Sequence, residues 1–110
     1  MFVNVIKSYR DVVAVCDKEL LGKKFEEPVP AGVRGLVRQL DVKENFYKNS
    51  ENPEPMTEES VRKIMEKMQE EDATFNLIGK KSVKVALELG IITEENVGKI
   101  QGIPFALVLL

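Results

Sequence analysis

The chain has 110 residues, of which 44% are apolar and 31% charged, which is typical of one globular domain and not of a disordered chain. A formal net charge of −2 gives no overall attraction to nucleic acid or to an anionic membrane, so such binding would need a local patch. One cysteine and no histidine exclude an internal disulfide, histidine-dependent catalysis by serine or cysteine, and the usual zinc ligand sets; we expect neither a metal nor a cofactor.

The first elements predicted along the chain are two strands. Residues 2–7 and 11–16 are rich in β-branched side chains and flank the polar Ser8-Tyr9-Arg10, which indicates a hairpin. Asp17 is a suitable N-cap for one or two helical turns in KELLGKKF. The two prolines and two glycines of EEPVPAGVRG predict a loop that leads into the next strand.

That next strand, LVRQLDV, is predicted to be half exposed because its side chains alternate. Leu36, Leu40 and Val42 fall on one face. Residues 37, 39 and 41 fall on the other face. The segment KNSENPEPM that follows has the composition of a surface loop.

The second half of the chain predicts two helices and two strands. Thr57 is a good N-cap for a helix that runs to about Asp72, and its apolar side chains recur on one face, namely Val61, Ile64, Met65 and Met68. ATFNLIG predicts a strand that stops at Gly79, and KKSVKVALEL predicts a helix with Val83, Ala86 and Leu87 inward and Gly90 as its stop. TEEN predicts a further helical turn, and the uncharged IPFALVLL predicts a buried strand.

Together these elements predict an α+β fold with about five strands. We expect a single layer of mostly antiparallel or mixed sheet, in the order β-β-α-β-α-β-α-β, covered by two main helices. Residues 1–110 should form a single domain. The sequence contains no run long and apolar enough for a signal peptide or a membrane span, so we expect a cytoplasmic protein with no membrane partner. Its dense mixed charge suits the ion-pair networks of a thermophile.

Four stretches resemble a known family: VNVIKSYRDVVAVCDKELLGKKF, RQLDVKENFY, ATFNLIGKKSVKVALELGII and NVGKIQGIPFA. They are similar to the archaeal domain of unknown function 424 family. The loops at 28–35 and at NSENPEP look longer than the family pattern, and Phe105 stands where some members carry histidine. The resemblance implies an archaeal cytoplasmic protein of about one domain, with no established activity, in a set suggestive of information processing.

The strongest local candidate for a site is a strand-turn-helix around Gly79. Backbone amides at the start of such a helix bind anions, and lysines placed there favour a phosphate. The candidate anion site consists of Gly79, Lys80, Lys81, Ser82 and Lys84. It is not a P-loop, since only the tail of that motif is present. The alternative is that the lysines are solvated or pair with nearby carboxylates.

Two further sets of residues carry weaker functional signals. Asn76 lies in an otherwise apolar strand and either braces the Gly79 or Gly102 loop or contacts a ligand. In the first third of the chain, basic residues could contact RNA phosphates and aromatic residues could stack on unpaired bases. Acidic residues interleave with them and would weaken the positive potential. This candidate surface contains Lys7, Tyr9, Arg10, Lys23 and Lys24, with Arg34, Arg38 and Phe25 nearby.

Three functions remain open on these residues. The first is a non-catalytic module that binds RNA or another phosphate-bearing ligand, with RNA or a ribonucleoprotein as partner. The second is an enzyme acting on a small phosphorylated or carboxylated metabolite, with Asn76, Ser82 and a carboxylate around a pocket. The third is a protein adaptor or homo-oligomer that uses the uncharged final strand or the helix face carrying Met65 and Met68. No catalytic residue is evident.

Overall fold

The computed structural model describes residues 1–28 and 37–108, with only the backbone of Val37. It confirms an α+β fold with a mixed sheet. The strands are β1 (Phe2–Ile6), β2 (Val12–Cys16), β3 (Lys24–Pro28), β4 (Val37–Asp41), β5 (Thr74–Ile78), β6 (Gly98–Ile100) and β7 (Ile103–Val108). The helices are α1 (Glu44–Tyr47), α2 (Glu58–Glu70) and α3 (Lys80–Glu88), with 3-10 turns at Lys18–Leu20 and Glu94–Asn96.

Five strands form the main sheet in the order β1-β2-β5-β7-β6, and β3 pairs with β4 in a separate two-stranded sheet. The predicted hairpin of β1 and β2 is confirmed, with Asn4 opposite Ala14. Strands β2 and β5 are parallel, whereas β5 with β7 and β7 with β6 are antiparallel. A parallel pair needs a long crossover, and here that crossover contains the β3–β4 hairpin, α1 and α2.

The first face of the main sheet is covered by α2 and α3. Thr57 caps α2 as predicted, since its Oγ1 accepts a hydrogen bond from the Ser60 amide at 3.2 Å. The predicted apolar face of α2 packs in the same core as the first face of the sheet, together with inward residues of α3. This core includes Val13, Val15, Val61, Met65, Phe75, Leu77, Val83 and Ala86.

The second face of the main sheet is covered by α1 and the β3–β4 hairpin. Alternation along the strands places on this face Phe2, Asn4, Ala14, Cys16, Asn76, Ile78, Phe105 and Leu107. Tyr47 of α1 and Leu40 of β4 are buried against it, and Phe25 of β3 packs beside them. The cover is incomplete, because Leu107 remains 57% exposed.

Several sequence predictions need correction. Residues 24–28 form β3 rather than the helical turns and loop that the sequence predicts. One apolar side chain, Phe25, is too few to indicate a two-residue period. Helix α1 and strand β6 were not predicted, since both are very short. The final strand is buried on one side only, as Leu107 shows. Residues 29–36, 109 and 110, including Leu36 of the predicted strand, lie outside the described residues.

An ion pair joins the two helices on the first face. Arg62 Nη2 of α2 donates to Glu88 Oε1 of α3 at 2.7 Å, and this hydrogen bond lowers the pKa of Glu88 below its ordinary value of 4.5. A carboxyl group whose pKa is lower in the folded than in the unfolded state stabilises the fold above the unfolded value. That contribution to stability is lost as the pH falls through the pKa of Glu88 in the folded state.

We therefore expect the Glu88→Gln variant to melt below the wild type at neutral pH, with the difference disappearing well below pH 4.5. Thermal unfolding followed by circular dichroism at both pH values measures this. Glu70→Gln, an exposed change on α2, is the control and should show no such pH dependence. If the melting temperatures of the wild type and Glu88→Gln differ by the same amount at both pH values, the assignment is wrong.

Candidate functional site

The start of α3 is occupied by a carboxylate of the chain itself. The Lys81 amide donates to Asp17 Oδ2 at 3.0 Å, and the Ser82 amide donates to Oδ1 at 2.9 Å. The Ser82 hydroxyl also donates to Oδ1 at 2.8 Å. Asp17 is 2% exposed and Ser82 is fully buried. These amides, predicted to be free for a phosphate, are therefore already bonded to an anion, which the positive end of the helix dipole favours.

The sheet topology brings Asp17 to this position. Because β2 and β5 are parallel, their carboxyl ends meet at one edge, with Cys16 opposite Ile78. The next residue, Asp17, donates its amide to the Ile78 carbonyl at 3.0 Å. Gly79 has φ 112°, and a Cβ added there would collide with the Asp17 carboxylate. The sequence predicted that Asp17 caps a helix, but it caps α3 rather than the adjacent 3-10 turn.

We expect Asp17→Ala to lower the free energy of unfolding by about 2–4 kcal/mol, because it leaves a buried hydroxyl and the first amides of a helix unpaired. Asp17→Asn keeps one acceptor oxygen and should lose less. Urea denaturation measures both values. Glu19→Gln, two residues away on an exposed position, is the control. Equal stability of Asp17→Ala and the wild type would show that the cap contributes nothing.

The lysine side chains at the start of α3 are free of that cap and face solvent. Lys80, Lys81 and Lys84 are exposed, and none has a carboxylate within 4.0 Å among the described residues. The first turn of α3 carries no acidic residue. Their exposure agrees with the first half of the alternative, that these lysines are solvated, and the amides of Lys81 and Ser82 are bonded to Asp17.

A fourth lysine, missed in the sequence, lies on the neighbouring edge strand. Lys99 of β6 is opposite Pro104 of β7, whose carbonyl accepts from the Gly79 amide at 2.8 Å. Two strand spacings, about 10 Å, thus separate Lys99 from the start of α3. Lys99 is exposed, and it alternates with Gly98 and the second-face residue Ile100, so it is on the face that α3 covers. Only the pairing of β6 with β7 reveals this proximity.

Asn76 braces α1 rather than either glycine loop. Tyr47 Oη donates to Asn76 Oδ1 at 2.9 Å, which ties the short helix to the centre of the sheet. Burial raises the pKa of Tyr47, so its hydroxyl stays a protonated donor. Gly102, with φ 76°, lies instead in the turn between β6 and β7. That turn is bound by β3, because the Gln101 amide donates to Glu27 Oε2 at 3.0 Å.

A cleft that is open to solvent and has a volume of about 340 Å³ lies beside this hydrogen bond, between α1 and the second face of the sheet. We call it the α1 cavity. It is lined by Asp41, Lys43, Asn45, Phe46, Tyr47 and Asn76. Only Asn76 of these was a candidate in the sequence, since the others belong to segments without a functional pattern.

The candidate basic and aromatic surface is divided between the two ends of β2. Lys7, Tyr9 and Arg10 lie at the β1–β2 turn, whereas Lys23 and Lys24 follow the opposite end, about 16 Å away along a five-residue strand. Two of the lysines pair with carboxylates: Lys7 with Asp11 at 3.0 Å and Lys24 with Glu26 at 3.5 Å. Arg10 shares a depression with acidic Glu71 and Asp72. Arg34 lies outside the described residues.

The pocket expected for an enzyme does not form around the predicted residues. Ser82 is buried and bonded to Asp17, while Asn76 lines the α1 cavity, to which Ser82 does not contribute. Within ranges 1–28 and 37–108, no three His, Cys, Asp or Glu side chains gather as a metal site would require. The same ranges hold no helix of the length and apolar character needed to cross a membrane.

Cys16 is unsuited to thiolate chemistry. Its side chain is fully buried, and burial together with the nearby Asp17 charge raises the pKa of the thiol to about 12. Because the thiolate is the reactive form, a buried protonated thiol is inert.

We expect Cys16 in the folded protein to resist a disulfide reagent such as 5,5′-dithiobis(2-nitrobenzoate) at mildly alkaline pH, and to react fully in urea. Absorbance of the released thiolate measures the rate. A Cys16→Ser, Ser50→Cys variant, which moves the thiol to an exposed position, is the control and should react quickly without urea. Equally fast labelling of native wild type would contradict the assignment.

Comparisons with known proteins place the chain in a wider context. The model of a family described as "Protein of unknown function (DUF424)" matches residues 6–110. Among solved structures, the chain is similar to an uncharacterized conserved protein from Methanopyrus kandleri, with a TM-score of 0.72 and 22% identity over 97% of this chain and 88% of that chain. At this identity the likeness shows the fold alone. No curated protein matches the chain.

Proposed function

The chain belongs to the DUF424 family, as its sequence resemblance predicted, and since that family is described by its unknown function, we propose a function from the geometry of the chain itself. The protein acts as a non-catalytic module that binds a phosphate-bearing polymer, with single-stranded RNA as the proposed ligand. The supporting observation is a group of four exposed lysines: Lys80, Lys81 and Lys84 on α3, and Lys99 on the neighbouring strand β6. We call these four residues together the α3 lysines.

The α3 lysines bind phosphates with their ammonium groups rather than with the helix amides. Asp17 already satisfies the amides of Lys81 and Ser82, so the phosphate contacts are point-charge contacts at the surface. Cations at the start of a helix are disfavoured by its dipole, and a bound phosphate offsets this cost. Four lysines spread over a helix turn and a neighbouring strand suit successive phosphates of one strand better than a single small anion.

Salt sensitivity is the main consequence of this mode of binding. The net charge of −2 gives no long-range attraction, and Glu19 lines a depression together with Lys80. The affinity then depends on the counterions that the RNA releases when a few lysines bind its phosphates, and it falls steeply as the salt concentration rises.

We expect the double variant Lys80→Glu, Lys81→Glu to lose RNA binding at low salt in a filter-binding assay with a single-stranded oligonucleotide. The milder variant Lys80→Gln, Lys81→Gln should lower the slope of log affinity against log salt by about 1.4, since each phosphate contact on a single strand contributes about 0.7. Both changes lie on exposed side chains, and acidic residues are favourable in a first helical turn, so the fold should persist.

The matched control is Lys63→Glu, Lys67→Glu on α2, which makes the same charge change on exposed positions of the other large helix. It should retain binding and the wild-type slope. Loss of binding in both double variants would indicate a general charge effect, and unchanged binding in the α3 variant would refute the proposal. Thermal unfolding of every variant verifies that each one is folded.

A further inference from the structure

The α1 cavity exists because two covers of the second face leave a gap between them. The β3–β4 hairpin packs over the row that contains Cys16 and Ile78, as the shared core cluster shows. Helix α1 lies over β1 and β2, and Asn4 Nδ2 of β1 donates to the Phe46 carbonyl at 2.9 Å. Asn76 lies inward from this cover, between fully buried Ala14 and exposed Leu107. The resulting volume of about 340 Å³ is in the range of small-ligand sites.

A fixed hydrogen-bond donor lies at the base of the cavity. Tyr47, which is 3% exposed, donates to Asn76 Oδ1 and so determines which end of the amide faces α1. The other end, Nδ2, carries two N–H donors, and it donates to none of the described residues. A half-buried amide with one end held and the other unused is suited to bind an acceptor atom on a ligand.

The rim of the cavity is polar but has no net charge. Asp41 Oδ2 and Lys43 Nζ are 4.0 Å apart, so an acceptor and a donor of opposite charge face the opening together. Their charges offset each other, which disfavours a phosphate, a carboxylate or a metal ion. An uncharged ligand that carries both donors and acceptors matches this arrangement.

An aromatic side chain forms part of the wall. Phe46 contacts Tyr47 in an edge-on arrangement, with ring centroids 5.0 Å apart and planes at 81°. Because Tyr47 is itself held by Asn76, this contact limits the orientation of the Phe46 ring. A held aromatic ring beside polar groups favours a planar ligand.

We propose that the α1 cavity binds a single nucleobase that carries an exocyclic amino group, such as cytosine. An acceptor on the base edge receives a hydrogen bond from Asn76 Nδ2, the exocyclic amino group donates to the Asp41 carboxylate, and the ring packs on Phe46. The base comes either from a free nucleoside or from an unpaired position of an RNA strand. This proposal does not rest on the α3 lysines, because they lie on the opposite face of the sheet.

The test is an NMR titration with uncharged cytidine and uridine, which lack the phosphates that α3 would bind. We expect cytidine to shift the amide signals of residues 41–47 and 76 and to bind about tenfold more tightly than uridine, which has no exocyclic amino group. Equal affinity for the two nucleosides, shifts confined to other residues, or no shift at all would overturn the proposal.

Two variants separate a binding role from a structural one. Asn76→Asp keeps an acceptor for the Tyr47 hydroxyl but removes the Nδ2 donor, so it should lose cytidine binding while remaining folded. Asp41→Asn, at an exposed position, should abolish the preference for cytidine over uridine. Asp72→Asn, an exposed change at the opposite end of the sheet, is the control and should change nothing. A preference for cytidine that persists in Asp41→Asn would refute the role of Asp41.

Comparison of cytidine with a short oligocytidine distinguishes the two sources of the base. Both are measured in the Lys80→Glu, Lys81→Glu variant, so that binding through α3 does not contribute. Oligonucleotide binding at least tenfold tighter than cytidine binding, and lost when Asn76→Asp is added, indicates an RNA base, whereas equal affinity for both indicates a free nucleoside. The Lys80→Glu, Lys81→Glu variant should bind cytidine as the wild type does. Failure of RNA binding through α3 and failure of the cavity proposal are therefore separate outcomes.

Discussion

The bond between Asp17 and the start of α3 is the constraint on which the rest of the structure depends. It joins the end of β2 to the residues that follow β5, across 64 and 65 positions of the sequence. By fixing the start of α3 against the edge of two parallel strands, it sets the direction in which that helix returns over the first face. Val83 and Ala86 can then enter the core with α2.

The same bond determines what the start of α3 can do. A helix start of this kind ordinarily offers amides to an external anion, but the Asp17 carboxylate already occupies that position. The lysine side chains are exposed, but the helix amides next to them cannot bind the same anion because they donate to Asp17. Any anion bound there is held by long flexible side chains, which suits a repeating charged chain and gives little discrimination between ligands.

Elements with a local signal were predictable from the sequence, and those fixed by distant contacts were not. Helix α2 has a capping threonine and a regular apolar face, and α3 ends at a glycine with φ 73°, so both were found. Strand β3 and helix α1 gain their stability from partners far along the chain. The acceptor role of Asn76 depends on Tyr47, 29 residues away in a segment without periodicity. The α1 cavity could therefore not be predicted from the sequence, although Asn76 itself was a candidate residue.

The parallel register of β2 and β5 also has a consequence for how the chain folds. The β1–β2 hairpin closes a short loop, but pairing Val12 with Thr74 closes one that contains both β3–β4 and α2. Closing a long loop costs more chain entropy than closing a turn, and contacts of this kind slow folding. The hairpin and α2 can form early from local contacts, and we therefore expect the centre of the sheet, with the α3 cap and the α1 cavity on its two sides, to be completed last.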